Sequence, residues 1–142
     1  MTREACYTAL FTLLSTLQGA PFPLISRKLQ TLEDVAGVQL PALFLTVDRQ
    51  TVAVKPGVPP RRTLRANVFV YVASPDPSVA SGTLINPLID LVETTLAPLP
   101  SLPQQTLGGV VQHAWIEGAI EVYEAIKTQR AAALIPITML MP

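Results

Sequence analysis

The residues best suited to covalent or metal chemistry are scarce here: one cysteine, Cys6, and one histidine, His113, in 142 residues. A catalytic reading needs such groups to converge, as a thiolate on an imidazole or as imidazole and carboxylates at ligand spacing. Cys6 instead falls on an apolar helical stripe with Leu10, Leu13, Leu14 and Leu17, and free cysteine is among the most buried residue types. A single cysteine excludes an intramolecular disulfide and a cysteine-cluster zinc site, and it fits a cytoplasmic folding environment. His113 has no second histidine and no carboxylate at ligand spacing on its face. Glu117, four residues on, could pair with it and titrate near neutral pH; a strand residue satisfied by a neighbour is the simpler reading. Trp115 reads as a core or interface anchor.

The pair Gly108-Gly109 lacks the other parts of a phosphate loop. No Lys-Ser/Thr follows it, there is no GxGxxG spacing, and a strand rather than a helix comes next. The glycines instead supply positive φ where the chain turns into that strand, and Gly118 marks a bulge or twist in it. Alternation would place Val110, Gln112, Ala114 and Ile116 on one face, with Val111, His113, Trp115 and Glu117 on the other. Glu117, Glu121 and Glu124 read as a solvated or intersubunit face. No enzyme emerges, and no cofactor is implied.

Charge is distributed more tellingly than it is summed. The net charge is zero, yet Arg49, Lys55, Arg61, Arg62 and Arg65 occur in a stretch without an acid, and residues 66–126 carry six acids without a Lys or Arg. Such a split suits head-to-tail contacts between like subunits or one local basic surface. The basic stretch, stiffened by Pro56, Pro59 and Pro60, reads as an ordinary solvated loop, as a docking arm that meets a partner with an acidic surface, such as a neighbouring ring, or as a lining that attracts DNA phosphates without sequence preference. The absence of interleaved aromatics argues against single-strand recognition.

The elements that would carry these residues follow from periodicity. Residues 3–18 read as a helix, with an acid in the first turn and Gly19 and Pro21 at its end. "PFPLISRKL" reads as short and extended, and "LPALFLTVD" as a buried strand. In "TLRANVFVYVA", Leu64, Ala66, Val68, Val70 and Val72 form a face suited to helices. The opposite face, with Phe69 and Tyr71, is partly solvated or part of a subunit interface, as are His113, Trp115 and Glu117. Asn86 and Pro87 are good N-cap and first-turn residues for a second helix whose stripe is Leu88, Ile89, Val92 and Leu96. "RAAALIPITMLMP" reads as a closing strand broken by Pro136, which favours an edge or bulge position there. The fold class is α+β: one domain over residues 1–142, a mixed and mainly antiparallel sheet with two helices on one face, and a long β-hairpin loop.

Only 14% of residues are charged, and the mean hydropathy is +0.41. No apolar run approaches the roughly 20 residues needed to span a bilayer, so no membrane is expected. The N-terminus does not read as a signal peptide. Surplus apolar surface then points to a subunit that buries area against copies of itself.

Taken in order, "LPALFL", "LRANVFVYV", "INPLIDLVETTLAPL", "QTLGGVVQHAWIEG" and "AALIPITMLMP" resemble the tail terminator (head-to-tail joining, or neck) proteins of long-tailed bacteriophages. The resemblance spans nearly the whole chain, with "QTLGG" its most distinctive piece. It implies a non-enzymatic virion protein, assembled in the bacterial cytoplasm, that forms a hexameric ring on the tail tube. That ring would halt polymerisation of the major tail protein and meet a head-side connector or adaptor, with genomic DNA passing through its lumen. The docking arm would there meet the tail or neck. The family has no catalytic residues to carry over. The 14 prolines depart from its pattern. Another neck component, such as a head-completion or adaptor protein, is the alternative; a small-molecule binding domain around His113, Trp115 and Glu117 is a third reading.

Overall fold

Alternation in residues 61–73 decides the centre of the molecule. In the computed structural model, which describes residues 2–142, this segment is strand β3 (Arg61–Ala73). It lies between β2 (Ala42–Ala53) and β6 (Arg130–Leu140), antiparallel to both. Met1, the first residue of the expected domain, lies outside the described residues. The β3–β6 register runs unbroken from Thr63 opposite Leu140 to Ala73 opposite Arg130. One face of this pair carries Leu64, Ala66, Val68, Val70, Ala133, Ile135, Ile137 and Met139, all buried. Upon it pack α1 (Arg3–Leu14) through Cys6, Tyr7, Leu10 and Leu14, and α2 (Ser81–Leu96) through Ile85, Ile89, Val92 and Leu96. The architecture is the expected α+β arrangement, two helices on one face of a mainly antiparallel sheet.

The sheet has six strands among the described residues, two more than the periodicity suggests. Strand β1 (Leu24–Ser26) adds in parallel to β2 at one edge. At the other edge, β4 (His113–Ile116) and β5 (Glu121–Glu124) share β6, β5 pairing with its first half and β4 with its second. This sharing explains why Pro136 does not break β6. Its carbonyl accepts the N–H of Glu117 at 3.2 Å, so its missing N–H points the same way, into the interval between β5 and β4. No ladder donor is lost there, and the expected edge position exists locally inside a central strand.

Two helix boundaries differ from expectation. The first α-helix ends at Leu14 and tightens into a 3-10 turn over Ser15–Leu17, a usual way for a last turn to close. The second begins at Ser81 rather than at Asn86–Pro87, so Pro87 lies inside it. Burial of Ile85 on the sheet rewards the earlier start. Thr83 and Pro87 are both exposed, so the carbonyl deprived of its helical partner faces water. The side chain of Glu124 lies directly against Gly82, bringing a carboxylate to the first turn of α2, where the helix dipole favours negative charge. A side chain at position 82 would displace it.

The second sheet face is covered in part by the chain's own loop. Residues 27–41 fold over Ala42, Phe44 and Tyr71, contributing Leu32, Val35 and Leu40. Arg130 ties this loop down by donating through Nη1 to the carbonyls of Leu32 and Val35, at 2.7 and 2.8 Å. Tyr71 donates its hydroxyl to the carbonyl of Gln30 at 2.8 Å.

The placement of Pro87 is testable. Pro87→Ala restores an i to i−4 bond to Thr83, and we expect it to raise unfolding stability by about 1–3 kcal/mol in urea denaturation. If Pro87 stood at the first helical position, the change would give no gain.

Candidate functional site

Build the stretch around His113 from its turn. Leu107, Gly108 and Gly109 are consecutive left-handed residues, with φ of 53°, 76° and 90°, a conformation glycine adopts without steric cost. The turn closes on the carbonyl of Thr106, which accepts from the N–H groups of Gly109, Val110 and Val111 at 2.9–3.1 Å. Only then does β4 begin, so Val110, Val111 and Gln112 are not strand residues. Val111 joins the helix-side core rather than the face of His113 and Trp115; the tight turn sets its direction, not alternation.

Gln105 links this turn to its surroundings. Its Nε2 donates to the carbonyls of Leu96 and Ala97 at the end of α2, at 3.3 and 3.2 Å. Its Oε1 accepts from Leu107 N at 3.1 Å, its carbonyl accepts from Ala114 N at 2.9 Å, and its own N–H donates to His113 Nδ1 at 3.1 Å. The His113 ring therefore keeps its proton on Nε2 when neutral. It stacks on Trp115, with centroids 4.9 Å apart and planes 18° apart. Glu117 turns elsewhere, its Oε2 accepting from Thr138 Oγ1 at 3.4 Å. His113 and Glu117 do not form the acid–base pair that their spacing allowed. Cys6 is fully buried between α1 and the sheet, and burial pushes its thiol pKa up. Among the described residues no buried side-chain polar atom lacks a partner, and no three His, Cys, Asp or Glu cluster as metal ligands.

The basic stretch forms a two-stranded arm. Strands β2 and β3 stay paired from Gln50–Leu64 out to Ala53–Arg61, past the point where β6 ends against Thr63. A bulge in which Asp48 and Arg49 oppose Arg65 bends the arm at its base. The stem continues about 7 Å beyond the last position paired to β6, and residues 54–60 form the tip. The five cations do not converge. Arg61 and Arg62 are adjacent on a strand and point to opposite faces. Arg65 lies back on the sheet and donates through Nη2 to the carbonyl of Glu117 at 3.3 Å. Arg49 occupies the bulge, leaving Lys55 and Arg61 as the outer pair. Apolar groups accompany them: Val52, Val54 and Val58 are 48, 72 and 54% exposed.

The remaining surface is the uncovered part of the second sheet face. Register places Thr63, Leu140 and His113 in one cross-strand row, then Arg65, Thr138 and Trp115, then Phe69, Leu134 and Glu121, then Tyr71, Ala132 and Tyr123. Of the expected interface residues, Phe69, His113 and Trp115 are half-buried on this face, and Glu117 is exposed just beyond β4. Tyr71 is 5% exposed beneath the 27–41 loop, so its ring packs within the chain. A recess of about 430 Å³ opens between Phe69, Leu134, Ala132, Glu121 and Tyr123. Nothing in the sequence pattern marked Tyr123 or Leu134, because β5 reads "EVYE", exposed on both faces.

The fold has a solved counterpart. The chain is similar to one in the structure titled "Virion of native gene transfer agent (GTA) particle", with a TM-score of 0.56 and 11% identity over 95% of this chain and 92% of that one. At that identity the likeness is one of fold. No family model and no curated protein sequence matches the chain.

Buried hydroxyl and thiol groups give this molecule a pH dependence on the alkaline side. Burial raises the pKa of Cys6, Tyr7 and Tyr71, so the folded state keeps protons that the unfolded chain releases. Their stabilising contribution is complete below the unfolded values of about 8.5 for cysteine and about 10 for tyrosine, and it declines as pH rises through the higher folded values. We expect unfolding stability to fall progressively above about pH 8.5, with the earliest part of that fall absent in Cys6→Ala. Native protein should also resist thiol labelling that unfolded protein accepts; prompt labelling of the native state would contradict this placement of Cys6.

Proposed function

We propose that the chain is a structural subunit of a phage-like virion, closing into a ring that caps the tail tube, stops its growth and joins it to the head. The end-to-end fold match with a chain of the gene transfer agent particle carries this reading, since it spans nearly all of both chains. The sequence resemblance to tail terminators points the same way from independent features, the ordered strand motifs and the turn at Gln105–Gly109. The surfaces suit such a role: an arm that leaves the body of the subunit, an uncovered apolar sheet face, and opposite charges held on different segments.

Capping has a simple physical requirement. A tube grows because each added ring offers the next one the surface it has just used. A terminator binds that surface and presents a different one outward. An apolar-rich subunit with distinct ends, assembled head to tail around an axis, meets this requirement without catalysis or cofactor. On this reading the partners are copies of the chain, the major tail protein on one side and a head-side connector or adaptor on the other, and the ring is a hexamer.

The role is tested by removing the gene from a producing phage-like particle and measuring tails by electron microscopy. Loss of a terminator gives tails longer than normal and few joined particles. Tails of normal length beside leaking heads would instead assign the chain to the head side of the neck. Gold-labelled antibody should mark the head-proximal end of isolated tails.

A further inference from the structure

We propose that the β2–β3 arm of one subunit docks into the acid-rimmed apolar recess on the open sheet face of a second copy. This deepens the ring reading above by naming the contact between neighbours. It replaces the expectation that the basic stretch meets the tail or neck partner, for a physical reason. A purely charged arm would suit any acidic or phosphate surface, but this one carries three valines about half or more exposed, Val52, Val54 and Val58. Apolar area of that kind is stabilised only by an apolar counterpart.

The same chain offers one. The recess is floored by Phe69, Ala132 and Leu134 and walled by Tyr123, which is 61% exposed. Glu121 stands at its rim, within the stretch of residues 66–126 that has no Lys or Arg. Among the described residues the one ion pair joins Arg27 to Glu4, so neither Lys55 and Arg61 nor Glu121 is neutralised within its own subunit. Sign and polarity both match: cations beside valines on the arm, the Glu121 carboxylate beside aromatics at the recess.

Geometry makes the contact intermolecular. The recess lies at the Leu134 level of β6, whereas the arm departs past Leu140, about 20 Å along the same sheet and pointing away from it. An arm cannot reach its own recess. Arm and recess are different surfaces at different ends of one subunit, so the contact can run head to tail and repeat around an axis, as the ring reading requires.

Sedimentation velocity across a concentration series tests this with the full chain. Wild type should assemble. Lys55→Glu with Arg61→Glu, and separately Glu121→Lys, should each raise the concentration needed for assembly by about ten-fold or more. Combining all three substitutions should restore it. An independent measurement uses Val58→Cys and Tyr123→Cys with a bismaleimide, Cys6 being buried: the two variants mixed should give a cross-linked dimer, and neither should do so alone. Assembly indifferent to the charge reversals, together with no mixed cross-link, would overturn the arm contact while leaving the capping role to the tail-length experiment. A wild type that stays monomeric would overturn the contact as well.

Discussion

Most of this molecule depends on the unbroken pairing of β3 with β6, which sets Thr63 through Ala73 against Leu140 through Arg130 in one register. A slip of one residue would turn every aliphatic side chain of one strand away from the helices. With the register fixed, Cys6, Leu10 and Leu14 of α1 and Ile85, Val92 and Leu96 of α2 meet a continuous apolar face. The far side of β6 must then be satisfied by two short strands in succession, and the interval between them is what allows Pro136 to sit in the middle of a sheet. At the opposite end of the pair, β3 and β2 continue where β6 stops, so the arm is a direct consequence of unequal strand lengths.

How far the sequence revealed this fold depends on how each element is buried. Strand β3 and the stripes of both helices were legible because one face of each is apolar and buried, and β2 because its run Ala42–Leu45 is buried on both faces. Strand β5 was not, because "EVYE" is exposed on both faces and takes its place by backbone pairing to β6. The start of α2 differs from expectation because Asn86-Pro87 is a good local initiation signal, yet burying Ile85, one turn before Ile89, outweighs it. The covering of Phe44 and Tyr71 by residues 27–41 rests on Arg130 bonding to carbonyls nearly a hundred positions away, which no local pattern encodes.

The same distinction holds for the functional surfaces. The reading of Gly108-Gly109 as a turn and of His113 as a satisfied strand residue follows from residue type. The partner of His113, however, is the backbone N–H of Gln105, not the carboxylate of Glu117. Counting charges identified the basic stretch but not its divergence, which comes from alternation in Arg61-Arg62 and from the bulge at Asp48-Arg49. What remains at the tip is a small, partly apolar hairpin end. A hairpin end of this kind fits repeated docking to a like subunit better than broad attraction to nucleic acid, which relies on many phosphate contacts.

Fold likeness to a chain of a gene transfer agent virion, the projecting arm and the uncovered sheet face are brought together by one claim, that this chain closes into a ring with copies of itself. Cryo-electron microscopy of the purified protein tests that claim most directly. Class averages should show closed rings, six subunits around, with each hairpin laid on the sheet face of its neighbour. A field of isolated subunits, or of two-fold dimers joined by the same patch on both partners, would contradict it.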